Sequence, residues 1–228
     1  MTDPQPKSLA EDHAEGADLV RLRERYGLVL VFILAAYVIG GLDTNVWVEI
    51  VTAMLWTALL LTTLWAPGVP RRVRAIGMIA VILILVSSVA LGFASGDGAE
   101  GLRLLLLAVA QLAALLAILS QIVRHSQVTL QTVMGGIAAY ALIAFVAAAV
   151  YSGADLLTDE TFLNGVVARG DYTYFSFVTL TTVGYGDITA AGDLAKRLVV
   201  VEAFVGQVFI IVFVARLVSL WGKPERVQ

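Results

Sequence analysis

The sequence contains no cysteine, and charged side chains occupy only 14% of its 228 positions. The absence of cysteine excludes a disulfide framework, a thiolate metal site and a cysteine nucleophile. So little charge, beside 59% hydrophobic residues, excludes an ordinary soluble domain. The net charge is only −3 and the basic residues stand in short clusters, which argues against nucleic acid as a partner. The composition therefore predicts a protein of the lipid bilayer.

Long apolar runs indicate how the chain crosses this bilayer. A hydrocarbon core of about 30 Å requires about 20 apolar residues in a helix. Five runs meet or approach this length, and one earlier run is short for a full span. The predicted spanning helices cover 28–41, 46–65, 76–94, 102–123, 128–151 and 194–220. The predicted fold class is therefore an all-α membrane protein with six transmembrane helices.

Arginine clusters between the runs indicate the orientation, because cytoplasmic loops are enriched in Lys and Arg. Short loops make consecutive helices antiparallel, which places both chain ends on one side. The clusters before the first helix and after the second fall on that side, namely Arg21, Arg23, Arg25 and Arg71, Arg72, Arg74. The polar beginning of the chain does not resemble a cleavable signal. We expect a multi-pass protein of the plasma membrane with both termini in the cytoplasm.

The interval 152–192, between the fifth and sixth predicted helices, is too long for a turn. It begins with an acidic, turn-rich stretch and becomes aromatic and apolar again over 172–180. This second piece is long enough for about two to three helical turns, with Asp171 as a candidate N-cap, but it is too short to span. We predict a re-entrant half-helix between the fifth and sixth spanning helices.

The half-helix leads directly into the sequence TTVGYGD at 181–187. This run resembles the signature of the potassium channel family, the tetrameric pore-loop cation channels, and the resemblance covers 128–220. A potassium ion in the membrane must exchange its water shell for equivalent oxygens, which backbone carbonyls can supply. Carbonyls that face one axis need a backbone that alternates with left-handed residues, and Gly184 and Gly186 adopt that conformation with the least strain.

The resemblance implies a passive potassium-selective channel that is not an enzyme, works as a homotetramer and needs no cofactor. K⁺ is then the permeant ion. Each of four subunits would contribute one copy of the selectivity filter, Thr182, Val183, Gly184, Tyr185 and Gly186. The ion would bind the carbonyls of the first four of these residues, and the Thr182 hydroxyl would complete the innermost site.

The resemblance also implies which residues hold the filter. Some bacterial members pair the aspartate after the filter with a glutamate, but this chain has Val178 at that position, so Tyr174 is expected to donate to Asp187. An exposed Asp187 that caps the loop is the alternative. The helix end near Thr181 would turn partial negative charge toward a central cavity. An aromatic cuff around the filter would consist of Tyr172, Tyr174, Phe175 and Phe177.

Two positions in the last helix are candidates for a role in support or gating. Gly206 lies where the family often has a hinge glycine, although a close helix contact explains it equally well. Glu202 lies at membrane depth, where a carboxyl group is costly. It either braces the filter through Thr179 or Thr181, or it is a protonated, hydrogen-bonded core residue.

The fourth predicted helix carries only Arg103 at its outer end, with Arg124 just past its inner end, whereas a voltage sensor needs several arginines at every third position. We therefore predict four helices that do not sense voltage, and an unidentified regulatory ligand or subunit is left open as the stimulus. The predicted organisation is a cytoplasmic tail over 1–25, the four-helix region over 26–125, a pore domain over 126–222 and a short cytoplasmic tail over 223–228.

Three other functions compete with this prediction. A non-selective cation channel would lack the tyrosine or the second glycine of the filter, and both Tyr185 and Gly186 are present. A potassium-uptake transporter would carry repeated pore loops, and the sequence shows a single one. A membrane enzyme would need paired acids, an activated nucleophile or a phosphate-binding loop, and no such pattern is visible.

Overall fold

The computed structural model describes residues 25–40, 46–65, 69–90, 96–124, 129–158 and 161–220. Within these ranges the chain forms seven helices and two short strands. The helices are α1 (Arg25–Gly40), α2 (Val46–Leu64), α3 (Arg71–Ala90), α4 (Asp97–Arg124), α5 (Leu130–Leu157), α6 (Gly170–Leu180) and α7 (Asp193–Leu220). The strands are β1 (Leu163–Asn164) and β2 (Thr189–Ala190). The two predicted tails lie outside the described residues, except for Arg25.

Each apolar run of the sequence forms a helix, and the largest differences concern where the helices begin and end. Helix α4 begins at Asp97 instead of 102, and its first turn contains Asp97 and Glu100. Acidic side chains are favourable there because they oppose the partial positive charge of a helix N-terminus. Helix α5 continues to Leu157 instead of 151, so that Asp155 belongs to its last turns.

Three of these helices are long and apolar enough to cross a membrane, judged by length and composition among the described residues. They are Asp97–Val123, Leu130–Leu157 and Asp193–Ser219. Tyr26–Ile39 and Met54–Leu64 are apolar but shorter. The structure is thus consistent with an all-α membrane protein, while the count of six spans stays a prediction.

Helix α5 is the centre of the packing, because it contacts α1, α4, α6 and α7. Between α4 and α5, small side chains allow a close approach, as is common where helices pack in membranes. The fully buried alanines of the two helices include Ala110, Ala114, Ala117, Ala138 and Ala139. At the other end of this contact, Gly101 faces Gly153, and a Cβ on either glycine would lie 3.0 Å from the carbonyl oxygen of the other.

The two strands form an antiparallel pair that joins the segments before α6 and after the loop 181–187. Leu163 pairs with Ala190 and Asn164 pairs with Thr189. The amide of Ala191 also donates to the carbonyl of Phe162 at 3.0 Å. The two ends of the segment that contains α6 and the TTVGYGD run are therefore fixed to each other.

The Gly101–Gly153 contact predicts a test of the α4–α5 packing. We expect Gly153→Val to lower the free energy of unfolding by about 1–3 kcal/mol, because the side chain would overpack a contact between backbones. Gly98→Val is the matched control, since a Cβ at Gly98 meets no atom within 4 Å. Thermal unfolding of the purified protein in detergent measures the difference, and equal midpoints for the two variants would contradict it.

Candidate functional site

The loop 181–187 follows α6 directly and has an unusual backbone. The residues with positive φ are Thr182 at 61°, Gly184 at 55° and Gly186 at 81°. Thr182 is the single non-glycine residue with positive φ in the described part of the chain. A left-handed conformation costs an L-residue about 1–2 kcal/mol, so the surrounding structure must impose it on Thr182. Left-handed residues thus alternate along the run with Val183 and Tyr185.

Backbone amides of this loop bond back to α6. The amide of Thr182 donates to the carbonyl of Thr179 at 2.9 Å, and the amides of Val183 and Gly184 donate to the carbonyl of Val178 at 3.0 and 3.3 Å. The N–H and C=O of a trans peptide point in opposite directions. The carbonyls of residues 181–183 therefore point away from α6. No described backbone amide donates to a carbonyl of residues 181–186, so these oxygens have no backbone partner in the described part of the chain.

The loop 181–187 is exposed along its whole length. Val183 and Tyr185 are 52% and 71% exposed, and a Cβ at Gly184 or Gly186 would meet nothing within 4 Å. Such a row of unpaired carbonyls can take the place of water around a cation, provided that further oxygens complete the shell.

Asp187 closes the loop through the hydrogen bond that the family resemblance implies. The Tyr174 hydroxyl donates to the Asp187 carboxylate at 2.7 Å, and the carboxylate also accepts from the amide of Ile188 at 3.0 Å. The Tyr174 bond is the main reason why the pKa of Asp187 is below its usual value, and it raises the pKa of Tyr174 to about 12. Tyr174 also stacks on Tyr185, with ring centroids 6.5 Å apart.

The other aromatic residues of α6 face the neighbouring helices, so the expected cuff is more dispersed. Phe175 is buried and its ring lies 5.9 Å from that of Tyr151 on α5. Phe177 makes edge contacts with Phe145 and with Tyr37 of α1, both at 5.5 Å between centroids. The Tyr172 hydroxyl donates to the Asp155 carboxylate. Of this group, Tyr174 is the one whose ring stacks on a filter residue.

Glu202 has different partners from those expected. Its buried carboxyl group forms hydrogen bonds with the hydroxyls of Tyr151 on α5 and Ser176 on α6. The expectation that Glu202 acts through Thr179 or Thr181 is therefore wrong. The Thr181 hydroxyl donates instead to the carbonyl of Phe177, one turn earlier, at 2.6 Å. Ser176 takes the contact because it lies on the face of α6 that is fully buried.

Two more expectations change with the geometry. The N-cap of α6 is Arg169 and not Asp171. The Asp171 carboxylate accepts instead from the amides of Val167 and Ala168, at 2.7 and 2.9 Å.

Gly206 packs against the end of α6, because a Cβ there would overlap the side chain of Leu180. The close contact that was the alternative for Gly206 is thus present, and its role as a hinge stays a prediction.

Sequence analysis missed four residues that hold α6. They are Tyr140, Tyr151, Asp155 and Ser176. The Tyr140 hydroxyl donates to the carbonyl of Leu180, the last residue of α6, at 2.7 Å. For Tyr140, Tyr151 and Ser176, a polar side chain inside an otherwise apolar run was the available signal, because such a group needs a partner when it is buried.

Helices α5, α6 and α7 follow one another in the chain, and the exposed loop 181–187 lies between α6 and α7. Residues 129–222, which include all of these elements, match the family described as Ion channel. No curated protein and no solved structure matches the chain. The family match supports a pore-loop cation channel that conducts ions passively, and a channel rather than an enzyme.

The Tyr174–Asp187 bond predicts how the site responds to acid. Because the pKa of Asp187 is lowered in the folded chain, its bond stabilises the fold above the ordinary pKa of about 4 and is lost as pH falls through the lowered value. We expect Tyr174→Phe to have a lower thermal midpoint than the wild type near neutral pH. On acidification its midpoint is expected to fall less than that of the wild type. Tyr37→Phe is the control. Thermal midpoints measured from neutral pH down to about pH 3 check this prediction. An equal fall of the midpoint with pH in Tyr174→Phe and in the wild type would contradict it.

Proposed function

We propose that this chain is one subunit of a homotetrameric, potassium-selective channel, with Thr182, Val183, Gly184, Tyr185 and Gly186 as its filter. The observation that carries the proposal is the alternation of positive φ at residues 182, 184 and 186, together with the bonds from the amides of residues 182–184 to α6. This backbone directs successive carbonyls to one side. A row of carbonyls is the ligand set that replaces the water of a dehydrated potassium ion.

More than one copy of the row is needed, because one chain supplies oxygens on one side of the ion only, and four copies is the number that the resemblance to potassium channels implies. Irregular backbone at membrane depth is tolerated only where protein buries it or where it lines a water-filled space. Because the loop is exposed in the single chain, we infer that further copies of the chain surround it. Copies that share a single ion axis are related by cyclic symmetry. Helix α7 offers the apolar surface that such copies would bury, with exposed Val200, Val201, Phe204, Val208, Ile211 and Val212.

Selectivity for potassium over sodium is the finer part of the proposal. Tyr185 stacks on Tyr174, which is itself bonded to Asp187, so the filter is connected to α6 on the side away from its carbonyls. These contacts favour a filter of fixed width over the wider pore of a non-selective cation channel. The described residues contain one such loop, which favours a channel over a transporter that carries several.

The four helices before the pore lack the charges of a voltage sensor. Arg103 pairs with Glu100 one turn away, at 2.6 Å, and Glu100 also accepts from Arg169 at the start of α6, at 3.0 Å. An arginine held in this way at one end of α4 does not carry gating charge across the membrane. We therefore propose that the channel opens in response to a stimulus other than voltage, with a regulatory ligand or subunit among the candidates.

Ion selectivity is tested by reconstitution into liposomes. Under opposed potassium and sodium gradients, we expect a reversal potential close to the potassium equilibrium value, and block by barium. Gly186→Ala places a Cβ on a left-handed residue at a cost of about 1–2 kcal/mol in each subunit, and is expected to abolish selectivity. Gly98→Ala, in open space on α4, is the matched control. Equal permeation of the two ions by the wild type would contradict potassium selectivity, and the proposal of an ion-conducting pore would still stand.

The proposed topology is tested by single cysteines, which need no background removal because the chain has none. With six spans and both termini in the cytoplasm, a cysteine at Gly98 is expected to react with an impermeant maleimide from outside the cell. A cysteine at Arg72 is expected to react only after the membrane is permeabilised. The opposite pattern, or labelling of both from one side, would overturn the proposed orientation.

A further inference from the structure

Glu202 is the buried acid of the pore region, and its hydrogen bonds can be counted proton by proton. It is 5% exposed, on α7, and it contacts Ser176 on the buried face of α6. One carboxyl oxygen, Oε2, is 2.5 Å from the Tyr151 hydroxyl. The other, Oε1, is in hydrogen-bond contact with the Ser176 hydroxyl. Ser176 is fully buried, and its Oγ lies 2.8 Å from the carbonyl oxygen of Ala144.

Three oxygen–oxygen contacts are therefore present, and each needs one proton. Tyr151 and Ser176 bring one hydroxyl proton each, while a carbonyl and an ionised carboxylate bring none. With Glu202 ionised, Ser176 would donate either to Glu202 or to Ala144, and the other contact would set two lone pairs against each other. A protonated Glu202 donates from Oε1 to Ser176, which leaves the Ser176 proton for Ala144 and the Tyr151 proton for Oε2. All three contacts are then hydrogen bonds.

The charged surroundings agree with this count. In the described part of the chain no Lys or Arg forms an ion pair with Glu202. The titratable groups that face it from α5 are Tyr151 and Tyr140, and both are neutral at ordinary pH. A buried carboxylate without a cation is costly in the membrane, whereas a buried acid with satisfied hydrogen bonds is not.

We propose that Glu202 holds a proton in the folded channel, and that this protonated acid is a positioning residue which fastens α6 to α5 and α7. The contact lies at Ser176, one turn before Leu180, which is the last residue of α6. The proposed filter begins two residues later, at Thr182. Loss of the proton leaves α6 with one bond fewer to its neighbours. The influence on the filter rests on the proposed channel function, whereas the proton itself does not.

Infrared spectroscopy of the purified protein near neutral pH tests the proton without any need for ion flux. A protonated carboxyl group gives a carbonyl stretch that lies apart from the amide I band. We expect Glu202→Gln to remove the intensity of one carboxylic acid per chain, and Glu100→Gln, in a partly buried ion pair with Arg103, to remove none. Ser176→Ala is expected to shift the band to higher frequency because it removes the acceptor, while Ser120→Ala is expected to leave it in place. A spectrum unchanged by Glu202→Gln would overturn the proposal.

Potassium flux in liposomes tests the positioning role. Glutamine keeps an N–H donor toward Ser176 and an acceptor toward Tyr151, so Glu202→Gln is expected to conduct and select like the wild type. Glu202→Ala leaves Ser176 and Tyr151 without their partner and is expected to lower potassium-selective flux about tenfold. Flux of Glu202→Ala equal to the wild type would overturn the positioning role. A silent wild type that still shows the acid band would count against the proposed channel function and leave the proton assigned.

Discussion

The carbonyls of Val178 and Thr179 receive the amides of residues 182–184, and the rest of the site depends on this contact. It turns the amides of the loop toward α6, and the planarity of the peptide bond then turns the carbonyls the other way. The same contact holds Thr182 in a conformation that costs an L-residue about 1–2 kcal/mol. The position of α6 therefore decides where the carbonyl oxygens of residues 181–183 lie.

Helix α6 is held at several levels by side chains from different elements. Its beginning is bonded to Asp155 on α5, its middle to Asp187 after the loop and to Glu202 on α7, and its last carbonyl to Tyr140 on α5. A neutral hydrogen bond contributes only about 0.5–1.5 kcal/mol, so no single contact fixes the helix. The bonds act together because they approach α6 from several directions, and the strand pair adds a closure at the ends of the segment.

Helices α1, α2 and α4 contact helices α5, α6 and α7 of their own chain. Aromatic rings connect Trp56 on α2 to Phe145 on α5, and Phe145 to Phe177 on α6, which also contacts Tyr37 of α1. Arg216 on α7 donates to the carbonyls of Ile122 and Val123 in the last turn of α4, at 3.2 and 2.7 Å. A helix C-terminus carries partial negative charge, so this cation is favourably placed. Helices α1, α2 and α4 thus support α6 and α7.

The sequence by itself determined the apolar helices, the short helix before TTVGYGD and the two glycines of the loop, because membrane length, hydropathy and left-handed backbone are local requirements. The Tyr174–Asp187 bond was also predictable, since it joins residues close in the chain through a known family pattern. Only the tertiary structure decided that Glu202 meets Ser176 and Tyr151, that Tyr140 reaches Leu180, and that Gly206 packs against α6. The rotation of α5 and α7 about α6 selects these partners, and helix rotation results from side-chain packing between distant segments, which local periodicity does not encode.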